Sequence, residues 1–325
     1  MGPTASGKTD IAISLCERFP LEIISVDSAM VYRGMNIGTA KPDAATLRKT
    51  PHRLIDIREP EDGYSAGDFV RDAHTEMGSI FAAGRIPLLV GGTMMYFRAL
   101  TEGIANLPAA DAEIRASIDA DAELLGWPAM HARLREVDPL AAERINCNDA
   151  QRIQRALEVY QASGKALSLW QQEGREQAVA GDVRFIKIAL LIKTRKALHQ
   201  RIEQRLKIML NNEFLDEVKE LHQRPDLTPR HSSMRSVGYR QLWAHLDAET
   251  TLEEARAKAL AATRQLAKRQ LTWLRSEPGL TVFDPLEAGT IDAISACLID
   301  FLTLRPNSRG QPAPPVCDVQ QKTEE

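Results

Sequence analysis

The chain begins with the pattern Gly-x-x-x-x-Gly-Lys-Thr, which is typical of a loop that binds phosphate groups. In such a loop, backbone N–H groups surround a polyphosphate, the lysine reaches its outer oxygens and the threonine hydroxyl holds Mg²⁺. A helix-compatible run follows from Asp10, so the loop would lie at a helix N-terminus, whose partial positive charge attracts anions. We predict a magnesium-dependent site for bridged phosphates, with Thr9 on the metal. The loop residues around the phosphates would be Gly2, Pro3, Thr4, Ala5, Ser6, Gly7, Lys8 and Thr9.

A second polar group follows the apolar run 21–26, which is predicted to be a strand. Asp27 would end that strand as a magnesium ligand, as a general base, or as the N-cap of the next turn. Its neighbours Ser28, Tyr32 and Arg33 supply a hydroxyl, an aromatic ring and a cation. This combination favours a substrate site over a turn.

The third candidate is Gly91-Gly92-Thr93, which follows an apolar strand predicted at 86–90. Two glycines let a ligand approach the backbone closely, and the Thr93 hydroxyl suits a phosphate oxygen or an amine. A tight turn between strand and helix is the alternative. The residues behind it, 94–97, are interpreted as core rather than as a cofactor pocket.

Positive charge is concentrated in one region, although the whole chain carries a net charge of −3. Residues 184–275 contain 19 Lys and Arg against 10 Asp and Glu, which gives this segment +9. Basic, amide-bearing sequences lie at 151–155, 235–240 and 264–275, two of them with an aromatic residue. Phosphate contacts combined with stacking are what single-stranded RNA loops require, so these segments favour RNA binding over a solvated surface.

These candidates need elements that bring them together, and the sequence predicts a parallel α/β sheet. Strands are predicted at 21–26, 53–57, 86–90, 185–192 and 280–283, with helices at 65–83, 94–100, 195–221, 253–274 and 291–304. Ligands of such sheets lie at the carboxyl ends of the strands, so the three candidates should converge on one edge. The predicted fold class is α/β, with a parallel sheet core like that of P-loop NTPases.

The middle of the chain differs from that core. Between residues 109 and 181 strand patterns are absent and helical spacing dominates, at 112–124, 130–137 and 149–163. We therefore predict a core domain from 1–108 and 182–304, a helical insertion at 109–181, and a disordered tail at 305–325, which is rich in Pro, Gln and Glu.

The first strand of the predicted core is missing from the sequence. A phosphate loop normally follows a hydrophobic strand, yet Met1 alone precedes Gly2 where about five or six strand residues belong. We expect an upstream in-frame start that encodes an apolar, β-branched segment of about five to ten residues.

Composition argues against several other classes of protein. No basic and apolar leader is present, and no apolar run approaches the roughly 20 residues that cross a bilayer. The four cysteines are scattered without a C-x-x-C pair, which argues against a zinc ribbon and a disulfide framework. We expect a monomeric cytoplasmic protein with no membrane partner.

Taken together, these motifs resemble the bacterial tRNA dimethylallyltransferase family. The segments that carry the resemblance are 2–9, 27–32, 34–42, 90–93, 148–152, 236–241 and 264–270. Asn36 and Ala150 depart from the residues common in that family, so neither is assigned a role.

The resemblance implies transfer of a dimethylallyl group from dimethylallyl diphosphate to N6 of the adenine that directly follows the tRNA anticodon, with Mg²⁺. It assigns the phosphate loop to the prenyl diphosphate, makes Asp27 the base that accepts the amine proton, and places Thr93 at the reaction centre. Lys8 would stabilise the departing diphosphate, and Arg235 is counted as the fourth catalytic residue.

The resemblance also implies an interface for the anticodon stem-loop of tRNA. Its predicted members are Asp27, Ser28, Ala29, Met30, Thr93, Arg115, Gln151, Arg152, Ile153, Gln154, Arg155, Arg235, Ser236, Val237, Gly238, Tyr239, Arg240, Lys268, Arg269, Gln270, Leu271, Thr272, Trp273, Leu274 and Arg275.

Two other functions fit parts of the sequence. An ATP-dependent kinase for a small molecule or nucleotide would share the phosphate loop, the sheet and Mg²⁺, but it has no need of the basic segment. A non-catalytic RNA-binding module would use the basic segment and has no need of Asp27.

Overall fold

The structure is a computed structural model, which describes residues 1–103, 105, 107–178 and 183–303. Two parallel sheets form the centre of this part of the chain. The first has the strand order β2-β1-β3, and the second pairs β4 with β5. Their strands are β1 (Leu21–Val26), β2 (His52–Arg53), β3 (Ile86–Gly91), β4 (Lys187–Leu190) and β5 (Leu280–Phe283).

Helices surround the sheets and fill the middle of the chain. The first half contains α1 (Lys8–Cys16), α2 (Ala44–Lys49), α3 (Ala66–Ala82), α4 (Met94–Glu102), α5 (Ala112–Leu125), α6 (Trp127–Val137) and α7 (Pro139–Arg144). The second half contains α8 (Ala150–Ser163), α9 (Leu167–Ala178), α10 (Arg195–Asn211), α11 (Phe214–His222), α12 (Tyr239–Leu246), α13 (Leu252–Arg275) and α14 (Thr290–Thr303).

Strand β1 is buried on both faces, which is why its residues are apolar almost without interruption. Ile24 and Val26 pack with side chains of α3 and α4 in one core cluster. Leu21 points to the opposite face and packs with α1 and α14 in another. The predicted α/β class with a parallel sheet is thus confirmed.

An apolar gap separates the two sheets. Met1 lies in it and is hydrogen-bonded to β4 through both backbone groups, because its amino group donates to the Ile188 carbonyl at 2.7 Å and its carbonyl accepts from Leu190 N–H at 2.9 Å. A cavity of about 470 Å³ continues between β3 and β4 and is lined mainly by apolar side chains. The upstream strand expected from the sequence stays a prediction.

One predicted strand is wrong. Of the run 53–57, only Arg53 lies in a strand, the short β2 that begins at His52. Leu54 and Asp56 have positive φ values of 63° and 55°, which no extended strand accommodates. Asp56 instead forms an ion pair with Lys41 at 2.5 Å, so a tertiary contact determines the backbone here.

Two other boundaries also differ from the prediction. The helix predicted at 195–221 is two helices, α10 and α11, because Glu213 has a φ of 65° between them. The strand predicted at 185–192 is shorter, since β4 covers Lys187–Leu190.

Helices α5 to α9 have a hydrophobic core of their own. Its buried members come from α5, α6, α7, α8 and the start of α9, for example Ile118, Leu134 and Ile153. No strand occurs in the described residues from 107 to 178. The predicted division into domains stays a prediction, and the predicted tail at 305–325 lies outside the described residues. None of the described helices combines the length and apolar composition that crossing a bilayer requires.

Candidate active site

The phosphate loop runs from Gly2 to Gly7 and leads directly into α1. Ala5 and Gly7 have φ values of 63° and 84°, and Ser6 N–H donates to the Pro3 carbonyl at 3.3 Å. This tight curvature turns the loop around the start of α1, whose first N–H groups have no acceptor within the helix. The loop therefore has the geometry of an anion-binding cradle.

Lys8 lies at the centre of this cradle. Its Nζ donates to the Pro3 carbonyl at 2.7 Å. Burial lowers the pKa of Lys8 from 10.5 to about 8, with a further lowering by Arg205 that Asp27 opposes. An ammonium in such a setting gains strongly from a bound anion, because the anion replaces the solvation that burial removed.

Asp27 and Thr93 meet at the carboxyl ends of β1 and β3, as the strand prediction requires. The register pairs Val26 with Gly91, which brings the two following loops side by side. Thr93 Oγ1 accepts from Ser28 N–H at 3.1 Å, so the Thr93 loop is tied directly to the residue after Asp27.

The Asp27 carboxylate does cap the turn that follows it. Oδ1 accepts from Ala29 N–H at 2.9 Å and from Met30 N–H at 3.3 Å. Both bonds use the same oxygen, so capping leaves the second oxygen for a substrate. The alternatives of a capping and a chemical role for Asp27 are therefore compatible.

One cavity of about 480 Å³ brings most of the predicted site together. The predicted residues that line it are Thr4, Ala5, Lys8, Thr9, Asp27, Ser28, Ala29, Met30, Thr93, Arg235, Ser236, Val237, Gly238, Tyr239, Arg269, Gln270 and Trp273. Residues as far apart in sequence as Thr4 and Trp273 share this cavity.

Two arginines of α10 belong to the site, and the sequence analysis did not predict them. Arg201 Nε donates to the Ala5 carbonyl at 2.8 Å, and Arg205 lines the cavity with Nη2 at 3.4 Å from the Thr39 carbonyl. Burial lowers the pKa of Arg205, while Asp27 and Asp10 act against that effect. Their spacing of four residues within the basic segment was the available signal, since it places both on one helix face.

A buried carboxylate on α11 holds the segment 36–38, which forms part of the cavity wall. Glu217 accepts from the N–H groups of Asn36 at 2.8 Å, Ile37 at 2.7 Å and Gly38 at 3.1 Å, and from the Tyr239 hydroxyl at 2.5 Å. A Cβ on Gly38 would lie 2.1 Å from the Phe214 ring. This wall requires glycine at position 38, and sequence patterns alone did not indicate it.

The predicted RNA-binding segments contribute an exposed set of side chains. These are Gln151, Arg152, Arg235, Arg240, Lys268, Arg269, Thr272, Trp273 and Arg275. Trp273 is 36% exposed and stacks on the Arg98 guanidinium, 4.8 Å from the ring centroid.

Other members of the predicted tRNA interface lie in the interior. Ile153, Tyr239, Gln270 and Leu274 are all buried. Tyr239 packs edge-on against Phe214 at 5.1 Å between centroids, so its ring is not free to stack on a base. These four side chains lie in the interior, and Tyr239 and Gln270 line the cavity, so their assignment to the tRNA interface stays a prediction.

Arg115 and Arg155 both have an internal partner. Glu158 is fully buried and accepts from Arg115 Nε at 3.0 Å and from Arg155 Nη1 at 2.7 Å. Together the two arginines compensate the buried carboxylate, and Arg155 also donates to the Pro108 carbonyl at 2.8 Å. Both therefore have a structural role in the helical region, whatever else they contact.

The oxygen atoms beside the phosphate loop fit a magnesium ion that is also coordinated by the phosphate groups of a bound ligand. No cluster of three or more His, Cys, Asp or Glu suited to a metal occurs among the described residues. Thr9 and Asp27 nevertheless supply a hydroxyl and a carboxylate to one cavity. Mg²⁺ usually takes one or two protein oxygens and completes its shell with phosphate and water.

Comparison with known proteins identifies similar sequences and folds. The model of the IPP transferase family matches residues 30–277. The tRNA dimethylallyltransferase of Chromobacterium violaceum is 53% identical, covering 94% of this chain and 94% of its own length. That of Paraburkholderia xenovorans is 54% identical over 92% of this chain and 96% of its own.

Solved structures show the same architecture. The tRNA isopentenylpyrophosphate transferase of Bacillus halodurans superimposes with a TM-score of 0.67 at 35% identity, covering 93% of this chain and 94% of that one. A eukaryotic dimethylallyltransferase whose structure was determined acting on tRNA gives a TM-score of 0.76 at 25% identity, covering 95% of this chain and 79% of that one.

Proposed function

This chain belongs to the IPP transferase family, and we propose that it transfers a dimethylallyl group from dimethylallyl diphosphate to N6 of the adenine that directly follows the tRNA anticodon. It is thus a tRNA-modifying transferase. The observation that carries the proposal beyond the family is one cavity that joins a phosphate cradle, Asp27 and Thr93, beside exposed basic side chains.

The phosphate loop would bind the diphosphate of the donor rather than a nucleotide. Backbone N–H groups at the start of α1, the Lys8 ammonium and Arg205 present positive charge to this part of the cavity. As the bond from carbon to the diphosphate oxygen breaks, the electron pair goes to the diphosphate. Fixed cationic groups stabilise that developing charge without reorganising.

Asp27 would accept the proton of the adenine amine. An exocyclic amine is a weak nucleophile, so it must lose a proton as its nitrogen bonds to the dimethylallyl carbon. The Asp27 carboxylate is held by the Ala29 and Met30 N–H groups, which fixes its orientation. Thr93, tied to Ser28, would position the amine or the diphosphate, and Arg235 at the cavity wall is proposed as a further catalytic cation.

Mg²⁺ is the proposed cofactor. Thr9 would hold it together with the donor's phosphate oxygens. When bound, the ion neutralises charge on the diphosphate.

The tRNA would approach from the side of the exposed basic residues on α8, on α13 and before α12. The target adenine must leave its stack to reach the cavity, at a cost of roughly a few kcal/mol that the phosphate contacts would offset. Since one chain supplies every proposed group and the substrate is tRNA, we propose that the enzyme works as a cytoplasmic monomer.

A transfer assay tests this function. Purified protein is incubated with Mg²⁺, unmodified tRNA and labelled dimethylallyl diphosphate, and in parallel with labelled ATP and candidate acceptors. We expect label in tRNA from the prenyl donor alone. Label transferred only from ATP would instead support the kinase that the phosphate loop also suggested.

The variant Asp27→Asn tests the base. It keeps an oxygen that can accept from Ala29 and Met30 N–H but removes the proton acceptor, so transfer should fall by about 10²- to 10⁴-fold. Binding of tRNA, measured by fluorescence anisotropy, should stay close to that of the parent protein. Unchanged transfer would refute the assignment of Asp27 and would favour a role in capping alone.

A further inference from the structure

Gln270 occupies an unexpected place for a residue of a basic helix. It lies on α13 between the exposed Arg269 and Thr272, yet only 9% of it is exposed. Its side chain points away from the basic face and into the junction between the phosphate loop and the loop that carries Thr93.

Both ends of the Gln270 amide are used. Oε1 accepts from Thr4 N–H in the phosphate loop at 2.8 Å, and Nε2 donates to the Gly92 carbonyl at 2.8 Å. The donor on one side and the acceptor on the other determine which way the amide faces. A single side chain thus joins two loops that are separated in sequence by three helices, three strands and about 90 residues of chain.

The hydrogen bonds of Gln270 connect onward to the proposed base, Asp27. Gly92 is followed by Thr93, whose Oγ1 accepts from Ser28 N–H, and Ser28 follows Asp27. The path from Thr4 through Gln270, Gly92 and Thr93 therefore fixes the spacing between the diphosphate cradle and the groups that would receive the amine.

The absence of a side chain at Gly92 leaves room for the Gln270 amide. A Cβ on Gly92 would lie 2.5 Å from Gln270 Nε2, and the next nearest atoms, the Gly2 carbonyl oxygen and Gln270 Cδ, are 3.4 and 3.5 Å away. The side chain at position 270 is therefore the main reason why position 92 has no room for a side chain.

We propose that Gln270 is a positioning residue that sets the separation of the donor diphosphate from the acceptor amine by clamping the phosphate loop to the Thr93 loop. The inference rests on the proposed function for the identity of the two substrates. Productive transfer needs the reacting atoms within a few tenths of an ångström of their best distance, and a displacement of about 1 Å costs about 10²-fold in rate.

The first test compares Gln270→Met with Gln200→Met. Met fills a similar volume but makes neither hydrogen bond, and Gln200 is an exposed glutamine on α10, outside the segments assigned to RNA or to the site. For Gln270→Met, we expect kcat/KM for the donor to fall about 10- to 100-fold. The KM for tRNA should change less than about threefold, and Gln200→Met should match the parent protein.

The second test is a double-mutant cycle with Gly92→Ala. In the parent background the added methyl group clashes with the Gln270 amide, so kcat/KM for the donor should fall at least about tenfold. In a Gln270→Ala background, the same Gly92→Ala change should lower kcat/KM for the donor by less than about threefold. Equal losses in both backgrounds would overturn the proposal, as would parent-like donor kinetics in Gln270→Met.

Binding of inorganic pyrophosphate separates this inference from the proposed function. Calorimetry on the same variants needs neither tRNA nor transfer. Weaker pyrophosphate binding in Gln270→Met, together with non-additive effects of the Gly92 and Gln270 changes on that binding, would support the clamp. This result would hold even if the parent protein transferred no dimethylallyl group. Active parent protein whose variants bind pyrophosphate and react normally would refute the clamp alone. Thermal melting of every variant identifies any loss that comes from unfolding.

Discussion

At the scale of single residues, the main feature of the site is positive charge that is partly shielded from solvent. Lys8 and Arg205 are both half-buried beside the phosphate loop, and desolvation lowers the pKa of each. Desolvation disfavours the charged form of such groups, and a bound anion favours it. Asp27 opposes the effect on both residues, so the proposed base also helps to keep the anion site charged.

The pKa of Lys8 predicts how donor binding depends on pH. Because this pKa is about 8, Lys8 is charged below pH 8 in the free protein and neutral above it. Pyrophosphate affinity, measured by calorimetry, should therefore decline as the pH rises through about 8, and binding near pH 8.5 should take up protons from the buffer. Lys8→Arg is the control, since arginine stays charged throughout this range. A decline of the same size in that variant would assign the titration to another group.

At the scale of elements, two segments that line the cavity are held by side chains from distant helices. Helix α10 reaches the phosphate loop through Arg201, and α13 reaches it through Gln270. Helix α11 holds the segment 36–38 through Glu217. The loops are therefore shaped by helices that follow them by more than 150 residues in sequence.

Removal of the Glu217 carboxylate should destabilise the fold. Glu217→Ala leaves three partly buried N–H groups and the buried Tyr239 hydroxyl without their acceptor, so the free energy of unfolding should fall by about 3 kcal/mol. Urea denaturation measures the loss. Glu220→Ala is the matched control, because Glu220 is exposed on the same helix. Equal effects of the two variants would contradict this account of the wall.

The exposed face of α13 makes a separate prediction about RNA. Lys268→Ala should weaken tRNA binding and reduce the slope of log affinity against log salt concentration by about one, as expected for one lost phosphate contact. Lys258→Ala removes the same charge from the same helix about 15 Å away and should leave the slope unchanged. Anisotropy titrations at several salt concentrations provide the measurement. Identical slopes for both variants would remove α13 from the RNA interface.

At the scale of the whole molecule, the hydrophobic cores are separate clusters. The cluster around α3, α4 and β1 shares no buried member with the cluster formed by α5 to α9. The candidate active site is built on the sheets and on α10 to α13, so the helical region can change its stability with little effect on the phosphate cradle.

Leu134→Ala tests this separation. Leu134 is fully buried in the helical cluster, and its truncation should cost about 2 to 5 kcal/mol there. Hydrogen exchange should increase in α5 to α9, while pyrophosphate affinity should stay within about twofold of the parent value. Ile80→Ala, in the cluster beside the sheet, should instead weaken pyrophosphate binding. Loss of pyrophosphate binding in Leu134→Ala would show that the two regions fold as one unit.

The sequence by itself determined the features that depend on neighbouring residues. The phosphate loop and the apolar strands β1 and β3 were predictable, and so was the start of α3, where Ser65 and Asp68 form a capping box. The convergence of Asp27 and Thr93 followed as well, because parallel strands end at the same edge of a sheet. The pattern comes from hydrogen bonding between near neighbours in the capping box and from continuous apolar runs in the strands.

Only the tertiary structure decided which side of each helix faces the site. The sequence placed Gln270 with the basic residues of α13, but packing against two loops turned it inward. Arg205 and Glu217 were overlooked, and the strand predicted at 53–57 was replaced by a turn around the Lys41–Asp56 pair. Helical periodicity defines faces, but the partner of each face depends on contacts between residues hundreds of positions apart.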